Sequence, residues 1–224
     1  MAHLVYIVGE SGTGKSTSLR KLNPDETVIV NTDQKALPFR KYKQIYNEEK
    51  GNYIQSSNIK DVVGKLSEAN ANENIKTVIV DTWSRIMTDS VMSNEFNNAK
   101  NGMQAWANMA RNQYKLINYV NDIMRNDIIV YFFCHPEKIY DDMGTMNQRI
   151  AVQGKQLAKL SPESFSSIVL YTEVKKEPGK PARYLFRTHN DSTDTCKTPM
   201  DMFEEDYIEN DLVEVNDTIR AYYD

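Results

Sequence analysis

The segment GESGTGKST, Gly9 to Thr17, follows directly on the apolar run LVYIV and opens a stretch with no glycine or proline until Pro24. It satisfies the pattern G-x-x-x-x-G-K-[ST] in the strand–loop–helix context that gives the pattern its meaning. This feature commits the N-terminus to a buried strand whose end carries a phosphate cradle. Gly9, Gly12 and Gly14 let the backbone wrap closely and turn its N–H groups, including those of Glu10, Ser11 and Thr13, toward anionic oxygens. The N-terminus of the helix that follows adds partial positive charge to the same place. Lys15 can reach the β and γ phosphates, Ser16 offers a hydroxyl to Mg²⁺, and Thr17 helps hold the α phosphate. A glycine-rich turn that binds nothing would leave this lysine and its nest of amides without an anion.

The rest of the chain fits an α/β frame. Short runs rich in β-branched residues recur at Leu4 to Val8, Thr27 to Asn31, Thr77 to Val80 and Ile128 to Phe133, with helix-period stretches between them. The alternation predicts a mostly parallel sheet flanked by helices and buried on both faces. Asn58 is the expected N-cap of a helix whose inward face is Ile59, Val62, Val63, Leu66 and Ala69. A longer stripe, Met103, Trp106, Ala110, Tyr114, Ile117, Val120 and Met124, predicts a second core-facing helix. Past residue 165, SSIVLYTEV and ARYLFRTH flank the turn-rich KKEPGKP and predict an antiparallel hairpin at the sheet edge.

The expected organisation is a core over residues 1–199 and an acidic C-terminal helical extension over 200–224, in which Leu212, Val215, Ile219 and Tyr222 keep helical spacing. A helix lying on the body is the favoured reading of that extension, with a detached regulatory tail as the alternative. No apolar run approaches the roughly 20 residues of a membrane span, and no signal-peptide pattern is present, so a cytoplasmic location is expected. The two cysteines, Cys134 and Cys196, read as buried or incidental thiols. A formal charge of −4 gives no global attraction to nucleic acid, which leaves only local patches for such a role.

Two further strand ends carry chemistry. In KTVIVDTWS an apolar strand runs straight into Asp81, which beside a phosphate loop reads as a magnesium-holding carboxylate, direct or through water, more than as a helix cap. In DIIVYFFCHPEK, His135 and Glu137 lie at the carboxyl edge of a strand, where open α/β sheets collect ligand contacts. His135 is either a γ-phosphate sensor or a histidine tied to a neighbouring loop.

These motifs, with VNTDQKALPFRKY after the second strand and KTPMDMFEEDYIENDLVEVNDTIRAYY at the C-terminus, make the chain resemble the RecA-like branch of P-loop ATPases. More closely it resembles the AAA-domain nucleotide-binding proteins of tailed bacteriophages, some of which are partners in single-strand annealing recombination. The resemblance implies ATP with Mg²⁺, hydrolysis to ADP and phosphate, homo-oligomers, and recombination or single-strand-binding proteins as partners. It also implies that the His135 strand lies between the P-loop strand and the Asp81 strand, which favours the sensor. RecA-like relatives usually place a water-activating glutamate after the second or third strand. Here Asp33, Gln34 and Lys35 follow VIVNT, so Asp33 and Glu137 are the candidate bases. Lys197 corresponds to one half of the family's basic pair that reaches a neighbour's site, with an ordinary surface lysine as the alternative.

Single-stranded DNA is an expected partner through two basic clusters. Lys35, Arg40, Lys41 and Lys43 interleave with Phe39, Tyr42 and Tyr46, and Arg149, Lys155 and Lys159 follow the third motif. Competing readings are a nucleotide-dependent switch with little turnover, which the missing glutamate makes credible, and a small-molecule phosphotransferase, for which no arginine-rich lid is evident.

Overall fold

The computed structural model describes residues 2–140 and 144–223; Asp224 of the C-terminal segment lies outside them. The strands are β1 (His3–Val8), β2 (Thr27–Asn31), β3 (Tyr53–Ile54), β4 (Thr77–Asp81), β5 (Ile129–Cys134), β6 (Pro136–Tyr140), β7 (Met146–Ile150), β8 (Ile168–Lys175), β9 (Arg183–Arg187) and β10 (Tyr207–Glu209). The helices are α1 (Tyr42–Ile45), α2 (Ile59–Ala71), α3 (Trp83–Met92), α4 (Asn94–Asn97), α5 (Gly102–Asn118), α6 (Lys155–Leu160) and α7 (Leu212–Tyr223). Eight strands form one sheet in the order β10-β9-β8-β1-β5-β4-β2-β3, and β6 and β7 form a separate antiparallel pair. The strands from β8 to β3 run parallel, whereas β9 and β10 add an antiparallel edge. The expected fold class and the β8–β9 hairpin are therefore present, and β5 does lie between β1 and β4.

Alternation along the central strands sends side chains to two cores. On one face Tyr6, Val8, Val30, Val80 and Phe132 pack with Trp83 of α3, Leu66 of α2 and Ile117 of α5. On the other, Val5, Ile7, Ile29, Ile79 and Phe133 pack with Leu19 and with Leu212, Val215 and Ile219 of α7. Burial on both faces is why these strands read as continuous β-branched runs and not as polar–apolar alternations. The segment after residue 200 contributes both β10 and α7, so the sheet and its second core include it. Asn216 of α7 accepts a bond from Tyr131 Oη at 2.7 Å and donates to Thr77 Oγ1 at 3.1 Å, tying α7 across two strands.

Local signals account for some of the helix starts. Asn58 accepts from the Lys60 amide at 2.9 Å and caps α2, as its position predicts. Asn101 caps α5 in the same way through the Gln104 amide. The α5 stripe extends too far toward its N-terminus, however. Met103 is 80% exposed, Trp106 sits at the rim with its ring edge-on to Phe96 of α4, and Tyr114 is also half-exposed. The buried face instead comprises Met109, Ala110, Gln113, Leu116 and Ile117. Periodicity identifies which side of a helix is apolar, but not where the layer beneath it stops.

The register brings the strand ends to one edge. Val8 is opposite Cys134, Val80 is opposite Phe132, and Asn31 is opposite Asp81. The residues following β1, β2, β4 and β5 thus meet at the carboxyl edge of the parallel sheet.

Candidate nucleotide site

At that edge lies an open cavity of about 600 Å³, walled by the phosphate loop, Asp33, Asp81, His135, the Lys35–Pro38 turn and Tyr184. The loop needs its glycines for separate reasons. A side chain on Gly9 would place its Cβ 1.7 Å from Thr172 Oγ1 of β8, because the loop crosses that strand in close contact. Gly14 has φ of +99°, and its missing side chain leaves room for the Tyr184 ring and the Asn210 amide. Thr13 Oγ1 lies 2.6 Å from Thr172 Oγ1 and anchors the loop crest. The helix expected after the loop is a short 3₁₀ helix, Ser16–Lys21.

Lys15 is buried, and its ammonium donates to the carbonyls of Gly9 at 2.5 Å and Glu10 at 2.9 Å. Burial lowers its pKa, opposed by the negative charge of Asp81 and more distant acids. The amine is thus held beneath the loop on neutral acceptors, and a phosphate chain in the cavity offers a charged alternative. Ser16 Oγ donates to Asp81 Oδ2 at 2.6 Å, so the hydroxyl and carboxylate assigned to magnesium from sequence are in contact. Desolvation raises the Asp81 pKa to about 6, Ser16 and Lys15 pull it down, and Asp33 pushes it up. One hard oxygen donor from each of two elements fits a magnesium ion that fills its remaining positions with phosphate oxygens and water.

Thr32 holds the β2 and β4 ends together. Its hydroxyl bonds the Thr82 carbonyl and amide, both at 2.6 Å, while the Thr32 amide donates to the Asp81 carbonyl at 2.8 Å. Asp33 follows at the cavity wall, 3.2 Å from the Lys35 ammonium. His135 faces the cavity from β5, with its amide donating to Ser84 Oγ at 3.2 Å. Burial, then the charge of Lys15, lower its pKa, which keeps the imidazole neutral near pH 7.

Two of the catalytic candidates from the sequence do not line this cavity. Glu137, on β6, is ion-paired with Arg149 of β7 at 2.5 Å. Lys197 pairs its backbone with Val169 of β8, and partial burial lowers the pKa of its amine. In the first basic cluster the cations are exposed, but Tyr46 is buried and Phe39 and Tyr42 pack against the second core. Those rings are therefore structural, and stacking of bases on Tyr46 is not available. Tyr184, which carries no motif in the sequence, is 43% exposed and is an aromatic wall of the cavity beside Gly14. Only the pairing of β9 with β8 brings it beside Gly14, so no local motif could have marked it.

No helix among the described residues is long and apolar enough to cross a membrane. The crystal structure of the flagellar accessory protein FlaH from Methanocaldococcus jannaschii resembles the chain at 15% sequence identity and a TM-score of 0.36, over 83% of this chain and 76% of that one. No curated protein matches the sequence. The family model described as "AAA domain" matches residues 2–200. With the phosphate loop, the Ser16–Asp81 pair and the parallel sheet that positions them, the chain belongs to the AAA-domain family of P-loop nucleoside triphosphatases.

Proposed function

We propose that this chain binds ATP with Mg²⁺ and hydrolyses it to ADP and phosphate. The observation that carries the reading is the contact of Ser16 with Asp81 in the wall of a cavity that Lys15 and His135 also line. In this reading the loop amides and Lys15 hold the β and γ phosphates, Ser16 and Asp81 would hold the metal, and neutral His135 bonds a γ-phosphate oxygen. The metal supplies charge neutralisation of the transferring phosphoryl group. The γ phosphate would point toward Asp81, and the exposed Tyr184 ring, which lines the same cavity beside Gly14, offers a stacking surface for the base. Asp33 is the base we assign for orienting water, since it lines the cavity while Glu137 is engaged by Arg149. Lys197 remains our proposed cation for a neighbouring subunit's site in a homo-oligomer.

A role on single-stranded DNA in phage recombination or annealing, with recombination or single-strand-binding proteins as partners, is the further part of this proposal. Its support is the sequence resemblance and the β6–β7 hairpin, which leaves β5 directly after His135. The hairpin exposes Lys138 and Tyr140, the latter 67% exposed, and exposed Lys155 and Lys159 follow it on α6. Backbone contacts by such cations and stacking on such a ring are the usual means of holding single strands.

Phosphate release from ATP·Mg²⁺, with and without a single-stranded oligonucleotide, tests both parts when the native chain is compared with Lys15→Ala. Release that requires Lys15 supports the ATPase, and its stimulation by the oligonucleotide supports the DNA role. Tight ATP binding without release would favour a nucleotide-gated switch, and a phosphorylated small-molecule acceptor would favour a phosphotransferase.

A further inference from the structure

Asn31 ends β2 and is only 2% exposed, yet it lines the nucleotide cavity. Its backbone is in register with Asp81 on the neighbouring parallel strand. Ile29 and Ile79, two residues earlier on each strand, both enter the second core. Alternation therefore turns the side chains of Asn31 and Asp81 to that same face of the sheet, side by side. Leu19, in the 3₁₀ helix after the phosphate loop, packs on that face as well, so both side chains lie on the loop's side.

The amide of Asn31 has a fixed orientation. Its Nδ2 donates to the Lys35 carbonyl at 2.6 Å and to Tyr53 Oη at 2.8 Å. A carbonyl oxygen only accepts, so the nitrogen must face Lys35, and the two bonds use both of its hydrogens. The free end is Oδ1, which accepts no hydrogen bond among the described residues. Unlike the amide of Asn210, which is sealed without a partner, this oxygen keeps access to open space. The open space that Asn31 borders is the nucleotide cavity.

The groups around it are acceptors too. Asp81 Oδ2 takes the Ser16 hydroxyl, and Oδ1 takes nothing among the described residues. Asp33 borders the same cavity. The two lysines there are committed, Lys15 to the carbonyls of Gly9 and Glu10 and Lys35 to Asp33. Oxygens thus outnumber the donors free to meet them where β2 and β4 end. A buried acceptor left unmet costs free energy, and a group of hard oxygens suits a hydrated divalent cation, whose waters donate outward.

We infer that Asn31 belongs to the cation site: its Oδ1 would accept a hydrogen bond from a water carried by the magnesium ion that Ser16 and Asp81 hold. The inference rests on the nucleotide–magnesium reading proposed above and adds to it a residue that neither the phosphate-loop pattern nor a strand-end carboxylate marks. Tyr53 and the Lys35 carbonyl are then positioning groups, since they keep the oxygen turned toward the cavity. Asn31 touches no reacting atom in this role and acts through the metal's water.

ATP affinity is measured by calorimetry with Mg²⁺ and again in EDTA, and the ratio of the two is the magnesium-linked gain. Asn31→Ala should lower that gain about tenfold or more while leaving affinity in EDTA little changed. Asn31→Asp is the decisive comparison. It loses both bonds of the amide nitrogen just as Asn31→Ala does but still offers an oxygen acceptor, so it should keep most of the gain. Asn31→Val, suited to a strand, takes the place of Asn31→Ala if that variant does not fold. Equal loss of the gain in Asn31→Ala and Asn31→Asp would show that the side chain only holds Lys35 and Tyr53, and would overturn the inference. A gain lost in Asp81→Asn but unchanged in Asn31→Ala would overturn it while leaving the magnesium reading in place. A native chain with no gain would overturn both.

Discussion

The Ser16 hydroxyl donates to the Asp81 carboxylate at 2.6 Å, joining the end of the phosphate loop to the end of β4 across a buried contact. This carboxylate has few partners and little solvent, which is why its pKa rises to about 6. Burial holds the folded value above the ordinary aspartate value of 3.8, so the folded chain takes up a proton before the unfolded chain does as pH falls. Without nucleotide, this group's stabilising contribution is fully present below about pH 4 and is lost as pH rises through about 6, an effect of about 3 kcal/mol at most. Magnesium moves the other way, since it needs the ionised form. Asp81→Asn should therefore stabilise the nucleotide-free chain by about 1–3 kcal/mol in urea unfolding at pH 7.5 while abolishing the Mg²⁺ dependence of ATP affinity. A destabilised variant that keeps its magnesium dependence would contradict the assignment.

Lys15 exchanges two carbonyl contacts for charged phosphate oxygens when nucleotide enters, on the reading proposed above. Charge-assisted bonds of this kind contribute about 1.5–3 kcal/mol, so Lys15→Ala should weaken ATP binding by about 10- to 100-fold. Calorimetric titration with ATP and with tripolyphosphate measures it. Similar losses for the two ligands place the defect at the phosphates, whereas Tyr184→Ala should weaken ATP and leave tripolyphosphate unchanged.

Gly9 and Thr172 approach so closely that no side chain fits between them. Gly9→Ala forces the loop off β8 or moves the strand, at a cost of about 1–3 kcal/mol in stability and with loss of nucleotide binding. Thr172→Ala removes the hydroxyl that the new methyl would strike, although Thr172 Cβ remains at 3.0 Å. The double variant should recover part of the loss, and a double-mutant cycle by chemical denaturation gives the coupling. Strict additivity would show that the two positions do not meet.

The sequence made the central sheet legible because β1, β2, β4 and β5 are buried on both faces and must be apolar throughout. The phosphate loop and Asp81 were legible because their chemistry requires particular residues directly after such strands. Other elements lacked a local signal. β3 is two residues long, and β10 is three residues within an acidic stretch. The β6–β7 hairpin, PEKIY with MNQRI, is largely exposed and has no alternating apolar face to betray it. Phe39, Tyr42 and Tyr46 were misleading for the opposite reason. Aromatics interleaved with lysines look like a stacking surface in one dimension, and only the fold turns the rings inward while the charges stay in water. Tyr184 owes its placement to a partner distant in sequence, Gly14, which no window along the chain contains.

The C-terminal helix offers a test of how the chain is organised. Leu212, Val215 and Ile219 are fully buried beneath the sheet, and Asn216 bridges Tyr131 and Thr77. Replacing any one of the three apolar residues with alanine should cost about 2–4 kcal/mol. Truncation after Met200 should then give a chain that no longer unfolds cooperatively in urea, monitored by circular dichroism. A truncated chain with a native transition would identify the segment as dispensable.

Asp33 and Glu137 separate by surroundings, and hydrolysis can tell them apart. Asp33 lines the nucleotide cavity beside Asp81, with its only ion pair among the described residues to the exposed Lys35. Glu137 is held by Arg149 on a hairpin beyond the cavity wall. A group that orients the attacking water contributes about 10²- to 10⁴-fold to the rate. Asp33→Asn should therefore reduce phosphate release at least a hundredfold while changing ATP affinity little, since the substitution keeps the shape and the turn. Glu137→Gln should leave the rate within a few-fold, because its carboxylate serves the hairpin. Single-turnover release with enzyme in excess measures the chemical step apart from product dissociation. The reverse result, a silent Asp33→Asn and an inactive Glu137→Gln, would mean that the hairpin folds over the cavity when ATP is bound and delivers Glu137 from β6.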